Sequence, residues 1–217
     1  METLILDHNV FQMKKMKVFI NFVRQSKIHT LSLNNCKLGD EGGVTLGEAI
    51  ENSHTIKDVR AKCCDFSDGA ARAIATAIEQ NPRLERLNLS NNLINDAGGE
   101  LIGLSIARNK KLKYLNLSKN NMRQAAGDMF AKSMKLNKTL NCLKLENNFV
   151  NMSFLEQIDR LIERNNLNIL DNYVSELRQD RQGLLSSRKA NWTRVDHLRI
   201  TQMKKEQKLE VKVKDLA

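Results

Sequence analysis

Aromatic residues make up only 5% of the 217 residues, and the chain holds a single proline. Few aromatics are expected where aliphatic ladders do the packing. The one proline, Pro82, falls between a helical and a strand-like stretch, where a missing backbone donor is tolerated. No long apolar run exists. In the first thirty residues Lys14, Lys15, Lys17 and Arg24 break up the apolar positions, so neither a signal peptide nor a membrane-spanning helix is expected. The four cysteines show no metal-type pairing, which points to reduced thiols and a cytoplasmic setting. His8, His29, His54 and His197 are scattered, with no carboxylate or cysteine spacing for a metal. A GxxxxGK[ST] phosphate loop is absent, and Gly39-Asp-Glu-Gly42-Gly43 is too acidic to stand in for one. The adjacent Cys63 and Cys64 have no base in view that would make a thiol nucleophile. Asp40-Glu41 reads as a pair of solvent-facing turn carboxylates. No catalytic site, cofactor or small-molecule substrate is expected.

What the chain does have is a repeat. Leu84-Glu-Arg-Leu87-Asn-Leu89-Ser-Asn-Asn92 returns every 28 residues, with its central apolar position at Leu31, Val59, Leu87, Leu115 and Leu143. Two positions on stand Leu33, Ala61, Leu89, Leu117 and Leu145; seven on stand Leu38, Phe66, Ile94, Met122 and Val150. The alternation predicts a short strand with one buried face. Further on, Leu46, Ile74, Ile102, Phe130 and Ile158 precede Ile50, Ile78, Ile106, Met134 and Ile162 by four residues, the signature of one helix stripe. One unit cannot bury both stripes, but stacked units can. Asn92, Asn120 and Asn148 are placed to bond neighbouring loop backbone as a ladder, and Cys36 and Cys64 fill the same slot as small buried thiols. Gly42, Gly69 and Gly98 are expected in the loop where the chain turns into each helix.

This unit, with Leu38-Gly-Asp-Glu-Gly42 and Ile94-Asn-Asp-Ala-Gly98 after the strand, resembles the ribonuclease-inhibitor-like class of leucine-rich repeats. The resemblance implies an α/β solenoid, a curved horseshoe with parallel strands on the concave face and helices outside. It covers residues 1–172, about seven strand units. The first unit, residues 1–27, is carried by Leu4, Leu6, Asn9, Phe11, Phe19 and Val23, and Leu167-Asn-Ile-Leu170 reads as a closing seventh strand. No capping segment precedes Met1 in this sequence, so the first unit's end face is expected to be covered by a partner or by preceding sequence. Residues 173–217 form a basic extension with eleven Lys/Arg against seven Asp/Glu counted from Asp171. Val174, Leu177, Leu184, Leu185, Trp192, Val195 and Leu198 suit an amphipathic helix broken near Gly183, its first turns capping the solenoid through Leu177 and Leu185. Leu209-Glu-Val211-Lys-Val213 then alternates like a strand.

Two surfaces are candidates for binding. On the concave face the frame displays Thr30, Ser32 and Asn34; Asp58, Arg60 and Lys62; Arg86, Asn88 and Ser90; Tyr114, Asn116 and Ser118; Cys142, Lys144 and Glu146. Of these, Arg60, Lys62, Arg86, Tyr114, Lys144 and Glu146 are the partner-binding candidates, with Tyr114 the aromatic anchor. In the tail the candidates are Leu184, Trp192, Val195, Leu198, Val211 and Val213. The net charge of +10 favours acidic partners. The basic stretches lack the interleaved aromatics of single-strand readout, which argues against nucleic acid. Asn88 and Asn116 are two of five N-x-S/T sequons, yet glycans on those strands would crowd the concave face. These features fit an intracellular protein-interaction scaffold held in a large cytoskeletal complex through its concave face and tail. In size and setting it is similar to the short solenoids of axonemal complexes. Alternatives implied by the same family are actin capping, since Asn137 to Val150 is similar to tropomodulin-type domains, and stimulation of a Ran-type GTPase; the +10 charge alone suggests a further one, a place in a ribonucleoprotein.

Overall fold

The computed structural model describes residues 2–11 and 16–187. Its elements alternate: β1 (Glu2–Ile5), α1 (Met16–Gln25), β2 (Ile28–Ser32), α2 (Gly39–Glu51), β3 (Asp58–Arg60), α3 (Asp68–Gln80), β4 (Arg86–Asn88), α4 (Asp96–Arg108), β5 (Tyr114–Asn116), α5 (Gln124–Leu136), β6 (Cys142–Lys144) and α6 (Met152–Ser187). The six strands form one parallel sheet in sequence order. The register is the one the repeat dictates, with Leu31 opposite Val59, Val59 opposite Leu87, Leu87 opposite Leu115 and Leu115 opposite Leu143.

The core lies between this sheet and its helices. Leu33, Ala61, Leu89 and Leu117 stack beside the central lane, and Leu46, Ile74, Ile102 and Phe130 close it from the helix side, all essentially without exposure. Each strand is too short to be stable alone, so burial against the next repeat holds it. Asn92 donates to the carbonyls of Ala61 (3.0 Å) and Leu89 (2.9 Å), while its Oδ1 accepts the N–H groups of Cys64 (2.9 Å) and Phe66 (3.1 Å). Asn120 and Asn148 repeat the pattern one and two units on. Cys64 fills the slot by donating its thiol to the Leu33 carbonyl at 3.0 Å, and burial pushes its pKa up to about 12.

The turn after each strand is made elsewhere than the glycines suggested. Asn35, Cys63, Asn91, Lys119 and Asn147 take the left-handed conformation, with φ of 58°, 56°, 57°, 57° and 58°. Gly42, Gly69 and Gly98 lie inside the first turns of α2, α3 and α4, where close approach matters and not backbone freedom. A Cβ on Gly69 would stand 2.7 Å from Asp40 Oδ2, and one on Gly98 would stand 2.6 Å from Asp68 Oδ1.

Those aspartates explain the crowding. The residues at the helix N-caps, Ser67, Asn95 and Arg123, make no cap bond of their own. Each cap comes from the preceding repeat instead. Asp40 accepts from Ser67 N (2.7 Å) and Ala70 N (3.1 Å), Asp68 from Asn95 N (2.8 Å) and Gly98 N (3.0 Å), and Asp96 from Arg123 N (2.7 Å) and Ala126 N (3.1 Å). Asp40 is therefore no solvent-facing turn residue but a brace between repeats. Burial alone would raise its pKa; the Ser67 hydroxyl and the Ser67 and Ala70 N–H groups outweigh this and lower it. A depressed folded pKa means the brace is at full strength above the ordinary carboxylate pKa of about 4 and is lost as pH falls through the folded value. Asp40→Ala is expected to cost about 1 kcal/mol at neutral pH. In urea melts the gap between parent and variant should close in acid; a gap that is constant with pH would contradict the ionised cap.

The chain divides into two units after Ile169. Among the described residues the sheet has six strands and not seven, because Leu167-Asn-Ile-Leu170 is helical and Leu167, Ile169 and Leu170 are 63%, 43% and 50% exposed. Asn137, one repeat earlier, starts the next strand by accepting from Thr139 N (2.9 Å) and Leu140 N (2.7 Å). At the equivalent Asn165 that oxygen is already taken by Arg164, whose Nη2 lies 2.7 Å away and also caps the carbonyls of Met134 (2.9 Å) and Asn137 (2.7 Å). With the turn-forming acceptor occupied, α6 runs on. It also continues through Gly183, since one helical glycine costs only about 1 kcal/mol and good helix formers flank it. Phe154, Leu155, Leu161 and Ile162 pack against the core, and Leu177 further along α6 is 41% exposed.

Candidate protein-binding surface

The strand face turned away from the helices presents its side chains in lanes. One runs Thr30, Asp58, Arg86, Tyr114, Cys142; the next runs Ser32, Arg60, Asn88, Asn116, Lys144. Parallel pairing fixes these neighbours, so the cluster expected from the repeat is brought together. It is not a bare patch of positive charge. Arg60 grips Asp58 through Nε (3.2 Å) and Nη2 (2.8 Å), and Arg86 Nε lies 4.0 Å from the same carboxylate. That bond raises the Arg60 pKa further.

Arg86 then reaches across to the next strand, its Cζ 4.3 Å from the centre of the Tyr114 ring. A guanidinium over an aromatic face contributes roughly 0.5–1 kcal/mol at an exposed site and holds both planar groups in place. Tyr114 is half-buried and its hydroxyl oxygen accepts from Asn116 Nδ2 at 3.4 Å. Tyr114 thus sits in an Arg–Tyr stack beside an Arg–Asp pair, and both guanidinium groups remain about half exposed, a chemistry that can bond a carboxylate. Lys62, Lys144 and Glu146 are exposed at the margins, and none has an ion-pair partner among the described residues. At the N-terminal end, Asp7 accepts from Ser32 Oγ (2.7 Å) and Asn34 N (2.8 Å), which ties Asn34 into the structure. Leu184 lies on α6 with its side chain outside the described residues, and Trp192, Val195, Leu198, Val211 and Val213 lie outside them altogether.

Among the described residues no His, Cys, Asp or Glu cluster could hold a metal, and no helix is long and apolar enough to cross a membrane. Two features escaped the sequence reading. One is the aspartate brace. The other is a second asparagine ladder where helices end: Asn81, Asn109 and Asn137, all buried, donate to carbonyls of the previous repeat and accept from the N–H groups that open the next strand. Both recur at the same 28-residue period and could have been found with the frame that located Asn92.

Comparison with known proteins agrees with this architecture. Residues 24–47, 80–103 and 108–131 match the sequence family described as Leucine Rich repeat. No curated protein matches the chain. Among solved structures, the leiomodin-1 actin-binding site 2 superposes with a TM-score of 0.66 at 23% identity, over 77% of this chain and 95% of that one. The tropomodulin C-terminal domain of Caenorhabditis elegans superposes with a TM-score of 0.65 at 19% identity, over 74% of this chain and 98% of that one. At such identities the likeness is one of fold.

Proposed function

We propose that this leucine-rich repeat solenoid is a non-catalytic interaction scaffold that holds an acidic segment of a cytoskeletal protein on its strand face. The Arg86–Tyr114 stack beside the Arg60–Asp58 pair supports the reading most directly. These side chains stand on hydrogen-bonded strands, so little ordering remains to oppose binding. Lys62, Lys144 and Glu146 would contact the partner's margins, and residues 173–217 would hold the chain in a larger assembly through Leu184, Trp192, Val195, Leu198, Val211 and Val213. A ciliary axoneme is the setting proposed for that assembly, in the cytoplasm.

The second reading is actin binding, favoured by the fold shared with the leiomodin-1 actin-binding site over 77% of this chain. Co-sedimentation separates the two. The purified protein, its 1–173 version and the Arg86→Ala, Tyr114→Ala double variant would be spun with actin filaments and with axonemal microtubules. Pelleting with microtubules that is weakened roughly tenfold in the double variant, and weakened also by truncation, supports the scaffold. Pelleting with actin alone supports the second reading. Binding indifferent to the double variant removes the strand face from either.

A further inference from the structure

The loops that lead into the strands carry a charge pattern that the strand face does not use. Where α4 ends and β5 begins, residues 108–113 read Arg-Asn-Lys-Lys-Leu-Lys; where α5 ends and β6 begins, residues 135–138 read Lys-Leu-Asn-Lys; Arg83 precedes β4. All these cations are exposed. Arg108 pairs with Glu79 at 2.9 Å and Lys113 with Glu85 at 2.8 Å. Arg83, Lys110, Lys111, Lys135 and Lys138 have no ion-pair partner among the described residues.

These loops are stacked and rigid. Asn137 Nδ2 donates to the Asn109 carbonyl at 3.0 Å, and Asn141 N and Cys142 N donate to the Lys113 carbonyl at 2.9 Å and 3.0 Å. The free cations therefore form a row fixed by the backbone. Helix ends alone do not account for them, although cations there do offset the helix dipole. α2 and α3 end with no basic residue in the last turn and fold the same way. Lys110, Lys111 and Lys138 also lie beyond the final helical turn.

We propose that the loops entering β4, β5 and β6 form a second docking surface, separate from the strand face, for an acidic protein segment. The neighbours favour protein over a continuous polyanion. Glu79 and Glu85 each neutralise a cation of the row, Arg108 and Lys113, so the free positive charge is interrupted; a peptide with spaced acidic side chains matches such a pattern, and a continuous phosphate chain or an anionic membrane does not. Among the described residues the row also lacks an exposed aromatic on which bases would stack.

The test uses the full chain and a fluorescein-labelled peptide of alternating Glu and Gly, read by anisotropy. The variant K110Q, K111Q, K135Q, K138Q removes four of the five free cations and leaves both ladder asparagines intact. Its affinity for the peptide is expected to fall roughly tenfold, while circular dichroism reports an unchanged fold. A control with Lys204, Lys205, Lys208 and Lys212 changed to Gln loses the same charge and is expected to bind as the parent does. Equal loss in that control would mean net charge alone is responsible and would overturn the proposal. So would loss in Arg60→Gln, Arg86→Gln with none in the loop variant, which would leave the strand-face reading standing. A DNA duplex or phosphatidylserine vesicles that bind more tightly than the peptide, through the same four lysines, would overturn the assignment to protein.

Discussion

A protein with alanine in place of Leu89 unfolds at a free energy about 2–5 kcal/mol below the parent's. Leu89 is fully buried, with Ala61 and Leu117 at the same place in the adjoining repeats. The walls of the resulting void cannot draw in, because Leu89 N is fixed to Asn116 O and Ala61 N to Asn88 O, each at 2.8 Å. A cavity that does not relax costs the lost contacts as well as the lost transfer of apolar surface. Urea denaturation followed by circular dichroism gives the number. Leu93→Ala serves as the control: Leu93 is 50% exposed, and its loss should stay within about 0.5 kcal/mol. A Leu89 variant as stable as the Leu93 variant would mean the repeat frame has been assigned to the wrong residues.

Asn137→Ala should cost a similar amount, about 3 kcal/mol, for a different reason. The side chain is 3% exposed and satisfies four backbone groups: the carbonyls of Ile106 (2.8 Å) and Asn109 (3.0 Å) and the N–H groups of Thr139 (2.9 Å) and Leu140 (2.7 Å). Alanine leaves all four in a space little reached by water, and an unpaired buried polar group costs more than a made bond contributes. Aspartate tests the mechanism. It keeps the acceptor for Thr139 and Leu140 but turns a donor into a second oxygen facing two carbonyls, so it should fail to rescue at neutral pH. Full rescue by aspartate would show that the two donated bonds are unimportant.

The apolar frame was legible because the hydrophobic period is written in side chains. Leu31, Val59, Leu87, Leu115 and Leu143 occupy one lane of the sheet as their spacing requires. The aspartates recur in the same frame, at Asp40, Asp68 and Asp96, so their positions were legible; their role was not, because in an acidic turn sequence Asp40 reads as solvent-facing and the N–H groups it braces lie 27 and 30 residues ahead. Leu167-Asn-Ile-Leu170 shows the opposite failure. Its local pattern is strand-like, but Arg164 takes the acceptor that would start the turn. On the strand face, Arg60, Arg86 and Tyr114 were found from position alone. Their mutual arrangement, with Asp58 held between the two arginines and the ring beneath Arg86, depends on rotamers that no period specifies. Lys110, Lys111 and Lys138 are written in the sequence, but they stand in loops that no hydrophobic period marks.

The aspartate brace reaches further than stability. Three successive repeats each carry the cap for the helix of the next, as Asp40 serves α3, Asp68 serves α4 and Asp96 serves α5. A unit is therefore interchangeable with its neighbours only if it is exchanged whole. Excising residues 84–111 would bring Arg83 against Leu112, and every donor would meet an acceptor of the kind it had lost. Removing one residue more or fewer would put each downstream brace out of step. Such a chain works as a graduated ruler: its row of strands can be lengthened or shortened in steps of about 4.8 Å, the spacing of paired strands, and at no length in between.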